Sequence, residues 1–220
     1  MTQEELLVAA ASVVALMIAI IGHEIMHGWV AYRFGDDTAK RAGRLTINPI
    51  SHVDIVGTII LPALLFLAQS PFLFGWAKPV PIDMRRVIRN GGYGAAMQVS
   101  LAGIAYNLFV AILASMLLLS LDVPLKSDDM LYIFFYILVA KLVLINVVLA
   151  VFNLWPLPQF DGAHFVGFLG LAMGSDKIMR FYDQTARYGV LIVLAILMVP
   201  QLRDIIFAPA IWLYQFLLFT

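Results

Sequence analysis

The chain has 220 residues, 62% of them hydrophobic and 13% charged, with fourteen basic side chains balancing fourteen acidic ones. Soluble domains are near half apolar and a quarter charged, so a cytosolic globule is excluded, and the charge balance excludes a polybasic nucleic-acid binder. There is no cysteine, which removes disulfide scaffolds, thiolate zinc sites and cysteine nucleophiles. The mean hydropathy of +0.93 points to an integral membrane protein, with the lipid bilayer as its main solvent.

About 20 apolar residues of helix cover a bilayer core. In chain order, the apolar runs are Leu6 to Ile21, Ile55 to Trp76, Gly94 to Leu121, Met130 to Trp155, Tyr188 to Leu202, and Ile205 to Thr220. Arg203 and Asp204 separate the last two. The first run lacks the basic leader and the small-residue cleavage site of a signal peptide, since Glu4 and Glu5 precede it. The predicted fold is all-α and polytopic, with five to six transmembrane helices.

Loop charge orients it. Basic residues concentrate in 33–54 (Arg33, Lys40, Arg41, Arg44), in 78–89 (Lys78, Arg85, Arg86, Arg89) and in 176–187. Three aspartates dominate 122–129. The positive-inside rule places the basic loops in the cytoplasm and the acidic one outside. The first two basic loops flank one apolar segment, so Ile55 to Gly75 is expected to dip in and return, with Gly57 and Pro62 breaking its helix. Five full crossings follow, in the cell membrane, with the N-terminus outside. Arg44 to Pro49 and Lys78 to Ile82 read as short extended β segments near the cytoplasmic face, because proline pushes its predecessor towards extended geometry.

His23-Glu-Ile-Met-His27 is an H-E-x-x-H sequence. At helical spacing its histidines share a face and can reach one zinc, with Glu24 placed to act as general base. A random shuffle of this composition yields the pattern about once in a thousand chains. Glu24 is also the only glutamate after Glu5, and it ends an apolar helix, where an ionisable group is costly. The third ligand must come from the aspartates or from His52 and His164. The longer zincin form with a third histidine fails, because Val30 and Arg33 hold its glycine and histidine positions. Asp161 stands out. It follows a long apolar helix ended by Pro156 and Pro158, and Gly162 permits a tight turn. With 55–75 re-entrant, Asp161 reaches the same membrane face as the histidines. His52 and His164 read more readily as packed interfacial histidines. Asn107, inside a charge-free helix, is either a polar group at the site or interhelical glue, and Lys141 can snorkel.

On these residues the chain resembles the site-2 protease family of intramembrane zinc metallopeptidases. The carrying segments are HEIMH at 23–27, GRLTINPISHVD at 43–54, GWAKPVP at 75–81, AGIAYN at 102–107 and NLWPLPQFDG at 153–162. The resemblance implies one zinc per chain held by His23, His27 and Asp161, with Glu24 activating water. It also implies that Asn153 lies near the site, where its amide steadies the oxyanion or the substrate backbone. The substrate it implies is a transmembrane protein cut in or near its span. Two departures are visible: Ala163 follows Gly162 where the family has a second glycine, and Ile104 follows Ala102-Gly103 where a proline is common. Residues 1–220 are expected to form one membrane-embedded domain, with a catalytic core at about 6–164, accessory helices at about 187–220 and no inserted PDZ or CBS module. The alternative is a non-catalytic zinc-binding membrane protein or transporter, in which Glu24 is a ligand or has no role.

Overall fold

The computed structural model describes residues 2–69, 75–121, 123 and 129–219. Helix α1 (Gln3–Arg33) opens on a capping box, in which Thr2 and Glu5 each accept the other's backbone N–H. A short helix α2 (Thr38–Arg41), a 3-10 turn (Pro49–His52), a π-helical turn (Ile55–Ile60) and α3 (Leu61–Leu67) follow. Helix α4 (Met84–Ser120) is capped by Asp83, whose carboxylate accepts from the Arg86 N–H. Helix α5 (Met130–Leu154) leads to α6 (Asp161–Ala172), α7 (Lys177–Thr185), α8 (Gly189–Met198) and α9 (Pro200–Phe219). Among the described residues, five helical stretches are long and apolar enough to cross a membrane: Gln3–Arg33, Met84–Ser120, Met130–Leu154, Lys177–Met198 and Pro200–Phe219. The chain is a multi-pass, all-α membrane protein.

Small residues turn inward and large ones outward, as expected where lipid is as apolar as leucine and helices associate by close approach. Ala11, Ala15 and Ala19 repeat every fourth residue of α1 and are wholly buried, while Leu6, Val13, Phe109, Met116, Leu131 and Phe216 are exposed. A core of Ala111 and Ala114 from α4, Val139, Val143 and Val147 from α5, and Ala210 from α9 ties these three helices together. Tyr106 lies so close to α1 that a Cβ on Gly22 would be 2.0 Å from its ring, and its hydroxyl donates to the Ile18 carbonyl.

The connection between α1 and α4 leaves and returns at one end of the bundle. Buried Asp36, just past α1, accepts the Asp83 N–H at 2.7 Å, and Asn90 of α4 donates to the Phe34 carbonyl at 2.8 Å. The apolar hairpin between them closes on itself. The Trp76 N–H donates to the Gly57 carbonyl, and the Thr58 hydroxyl to the Trp76 carbonyl. The connection from α1 to α4 therefore comes back to the end of the bundle from which it left. Residues 70–74 and most of the acidic 122–129 segment lie outside the described residues.

Three expectations are corrected. No strand occurs among the described residues; Pro79 and Pro81 carry no N–H, and the N–H groups of Lys78 and Val80 go to the His52 carbonyl and to a side chain. The helix break expected at Arg203-Asp204 falls at Val199-Pro200, because proline forces Val199 into extended geometry (φ −91°, ψ 109°). The helix expected to begin at Gly94 extends back to Met84 across a kink at Gly92, whose φ of 67° favours glycine.

Candidate metal centre

H-E-x-x-H lies in the last third of α1, so His23 and His27 project from one face, one turn apart. They reach the α1–α4 interface, where the helices approach closely. A Cβ on Gly103 would be 2.4 Å from His23 Cε1, so only glycine leaves room for that ring. Asp161 is the first residue of α6, and Gly162 lies against the last turn of α5, where a Cβ would meet the Leu154 carbonyl oxygen at 2.2 Å. That contact swings the Asp161 carboxylate to the histidines.

The three ligand-type atoms form a near-equilateral triangle. His23 Nε2 and His27 Nε2 are 3.1 Å apart, and Asp161 Oδ2 is 3.2 Å from each. Ligands at about 2.05 Å from a tetrahedral zinc are about 3.3 Å apart, so the spacing fits that ion. The outer ring nitrogens are committed. His27 Nδ1 lies 2.7 Å from the Val99 carbonyl, which only accepts, so this nitrogen carries the proton. His23 Nδ1 lies 2.7 Å from Asn107 Oδ1, while the Asn107 amide donates to the Ala19 carbonyl and to Asn146 Oδ1. Both Nε2 atoms then present lone pairs to each other and to the carboxylate. Asp161 Oδ2 is buried without a well-formed hydrogen bond. Three converging acceptors, one anionic, can hold a metal ion.

The other expected residues stand elsewhere. Glu24 is half-buried, and its Oε2 accepts the Val80 N–H at 2.8 Å. Asn153 is half-buried and donates one amide hydrogen to the Leu149 carbonyl of its own helix; among the described residues no hydrogen bond joins it to the cluster. His52 is buried against the Thr46 carbonyl, and His164 is exposed, so neither joins the triangle. Asn107 resolves towards the site, as the partner that orients His23. Asn146, which backs it, was not singled out from sequence, although a second amide in a lipid-facing helix is the available signal.

Fold and cluster together describe a multi-pass membrane protein whose H-E-x-x-H histidines and Asp161 could hold a metal ion. Two relatives carry names of that kind. "Putative zinc metalloprotease YwhC" of Bacillus subtilis is 36% identical over 193 residues, 86% of this chain and 80% of its own length. "Putative zinc metalloprotease Rip2" of Mycolicibacterium smegmatis is 29% identical over 203 residues, 91% of this chain and 71% of its own. No family model matches the chain. No solved structure matches it. On the YwhC relationship, the chain belongs to the site-2 protease-like family of zinc metalloproteases.

Proposed function

We propose that the protein hydrolyses peptide bonds in or beside the transmembrane segments of other membrane proteins, with one zinc held by His23, His27 and Asp161. The observation that carries this reading is the triangle of three acceptor atoms, which without a cation sets two lone pairs and a carboxylate against one another. Zinc, when bound there, supplies a Lewis acid for the scissile carbonyl and lowers the pKa of water towards neutrality. Glu24 takes the proton of the attacking water and delivers it to the leaving amine. Asn153 keeps a second amide hydrogen beyond the one given to Leu149, and this donor steadies the oxyanion or the substrate backbone. Asn107 holds His23 with its Nε2 inward.

The catalytic core is residues 6–164, in a single domain with 187–220 as accessory helices. The basic segments 33–54 and 78–89 face the cytoplasm, which puts the N-terminus outside and the zinc near the cytoplasmic face, where water reaches it. A substrate helix must unwind there, because its amides are tied in i to i−4 bonds.

The test uses zinc-loaded protein in liposomes with a single-pass test protein tagged at both ends. Wild type is expected to cut it, and Glu24→Gln to keep its zinc while cutting at least about 1000-fold more slowly. Cleavage at the wild-type rate by Glu24→Gln refutes the general-base role, and loss of zinc from that variant favours a zinc carrier.

A further inference from the structure

Among the described residues, Arg44 is a buried cation with a single side-chain hydrogen bond. Its Nη2 donates to the Lys78 carbonyl at 2.7 Å, its Nε is buried without a partner, and the residue is 8% exposed. Burying a guanidinium so sparsely satisfied is costly, and nothing in the metal triangle uses it. What it touches is a strap, residues 76–82, that lies across the end of the H-E-x-x-H turn. Pro79 and Pro81 remove two N–H groups and keep Lys78 and Val80 extended. The amides left between Lys78 and Ile82 are those three residues' alternate ones: Lys78, Val80 and Ile82. Lys78 donates to the His52 carbonyl, and Val80 to Glu24 Oε2. Strap and helix also meet through side chains, since a Cβ on Gly28 would lie 2.7 Å from Leu45 Cδ2 and 2.9 Å from Val80 Cγ1.

We infer that Arg44 is a positioning residue for Glu24: by gripping the Lys78 carbonyl it holds the strap so that the Val80 N–H fixes the glutamate's rotamer. The chain of contacts is short. From the guanidinium to the Lys78 carbonyl, and through Pro79 to the Val80 amide, there is one hydrogen bond and two residues of proline-stiffened backbone. A glutamate side chain on a helix has several rotamers, and one charge-assisted bond from a fixed amide selects among them. This inference rests on the proposed role of Glu24 as the base, but its first readout does not.

The experiment is hydrogen exchange on the zinc-loaded full chain in detergent, read at the Val80 amide. Glu24→Ala sets the rate with the acceptor removed. Arg44→Met is expected to speed Val80 exchange about 10- to 100-fold, the range set by losing a bond to a charged group, with α4 amides and zinc content unchanged. On the two-tag test protein, kcat should fall by a similar factor at constant KM. Arg44→Lys, which keeps a donor, should restore most of both. Val80 exchange in a folded Arg44→Met within about threefold of wild type overturns the inference. Should Arg44→Met fail to fold, Arg44→Gln is read the same way, with Val80→Pro removing the donor directly; full kcat in Val80→Pro also overturns it. Activity in Glu24→Gln would sink the base assignment, while Val80 exchange decides Arg44 separately.

Discussion

Replacing Gly103 by alanine tests the packing that seats His23. The added Cβ would stand 2.4 Å from His23 Cε1 and 2.5 Å from both ring nitrogens. Carbon atoms in contact lie about 3.5–4.0 Å apart, so the ring or the helix must yield by about 1 Å. The ring has nowhere to go without breaking its 2.7 Å bond to Asn107, which is itself held by Ala19 and Asn146. Metal–ligand distances tolerate about 0.2 Å, and a misplacement of about 1 Å costs on the order of 100-fold in a positioned site. Zinc affinity should therefore fall about 100-fold, or about 2.8 kcal/mol at 1.4 kcal/mol per factor of ten. The assay is competition with a chromophoric chelator in detergent. Gly94→Ala is the control in the same helix, because a Cβ there meets nothing within 4 Å. If Gly103→Ala holds zinc within about threefold of wild type, His23 is not seated as described.

Three further outcomes follow from named contacts. Asn107→Leu removes the partner of His23 Nδ1 and should weaken zinc binding about 10- to 100-fold, with Asn146→Leu, one step further out, costing less by the same titration. Gly22→Ala drives a Cβ into the Tyr106 ring and should destabilise the α1–α4 pair by about 1–3 kcal/mol; thermal unfolding in detergent should show recovery when Tyr106→Ala is added. Asp36→Ala strips acceptors from the Thr38 and Asp83 N–H groups and should cost about 2 kcal/mol by the same melt, without changing zinc affinity.

The site was legible where chemistry is local and hidden where it depends on how helices are rotated. H-E-x-x-H needs only the 3.6-residue period, so His23 and His27 could be paired from the string alone. Asp161 is 134 residues beyond His27, yet counting crossings brings it to the same end of the bundle, provided that 55–75 returns to its own side; the Gly57–Trp76 and Asp36–Asp83 bonds bring the ends of that connection together. Asn107 reads equally as site or glue from sequence because the 94–121 run around it is charge-free, and only the packing of α4 on α1 decides which residue it meets. The role of Gly103 as space for an imidazole was unreadable for the same reason. The extended segments are legible from their prolines, but not their pairing: the same prolines that straighten 78–82 remove the N–H groups a ladder needs, and the Lys78 and Val80 donors go to His52 and Glu24. Loop charge gave Lys78 to Arg89 to the cytoplasmic side. It carried no hint that Arg44 is buried there against the Lys78 carbonyl.

The most direct test of the central claim is the metal content of the purified protein, measured for wild type beside His23→Ala and Asp161→Ala. The triangle of Nε2, Nε2 and Oδ2 predicts one zinc per chain in wild type, lost or strongly weakened in both variants, although the two residues are 138 positions apart. Zinc lost with His23→Ala but retained at wild-type affinity in Asp161→Ala, or no zinc in a folded wild type, would contradict it.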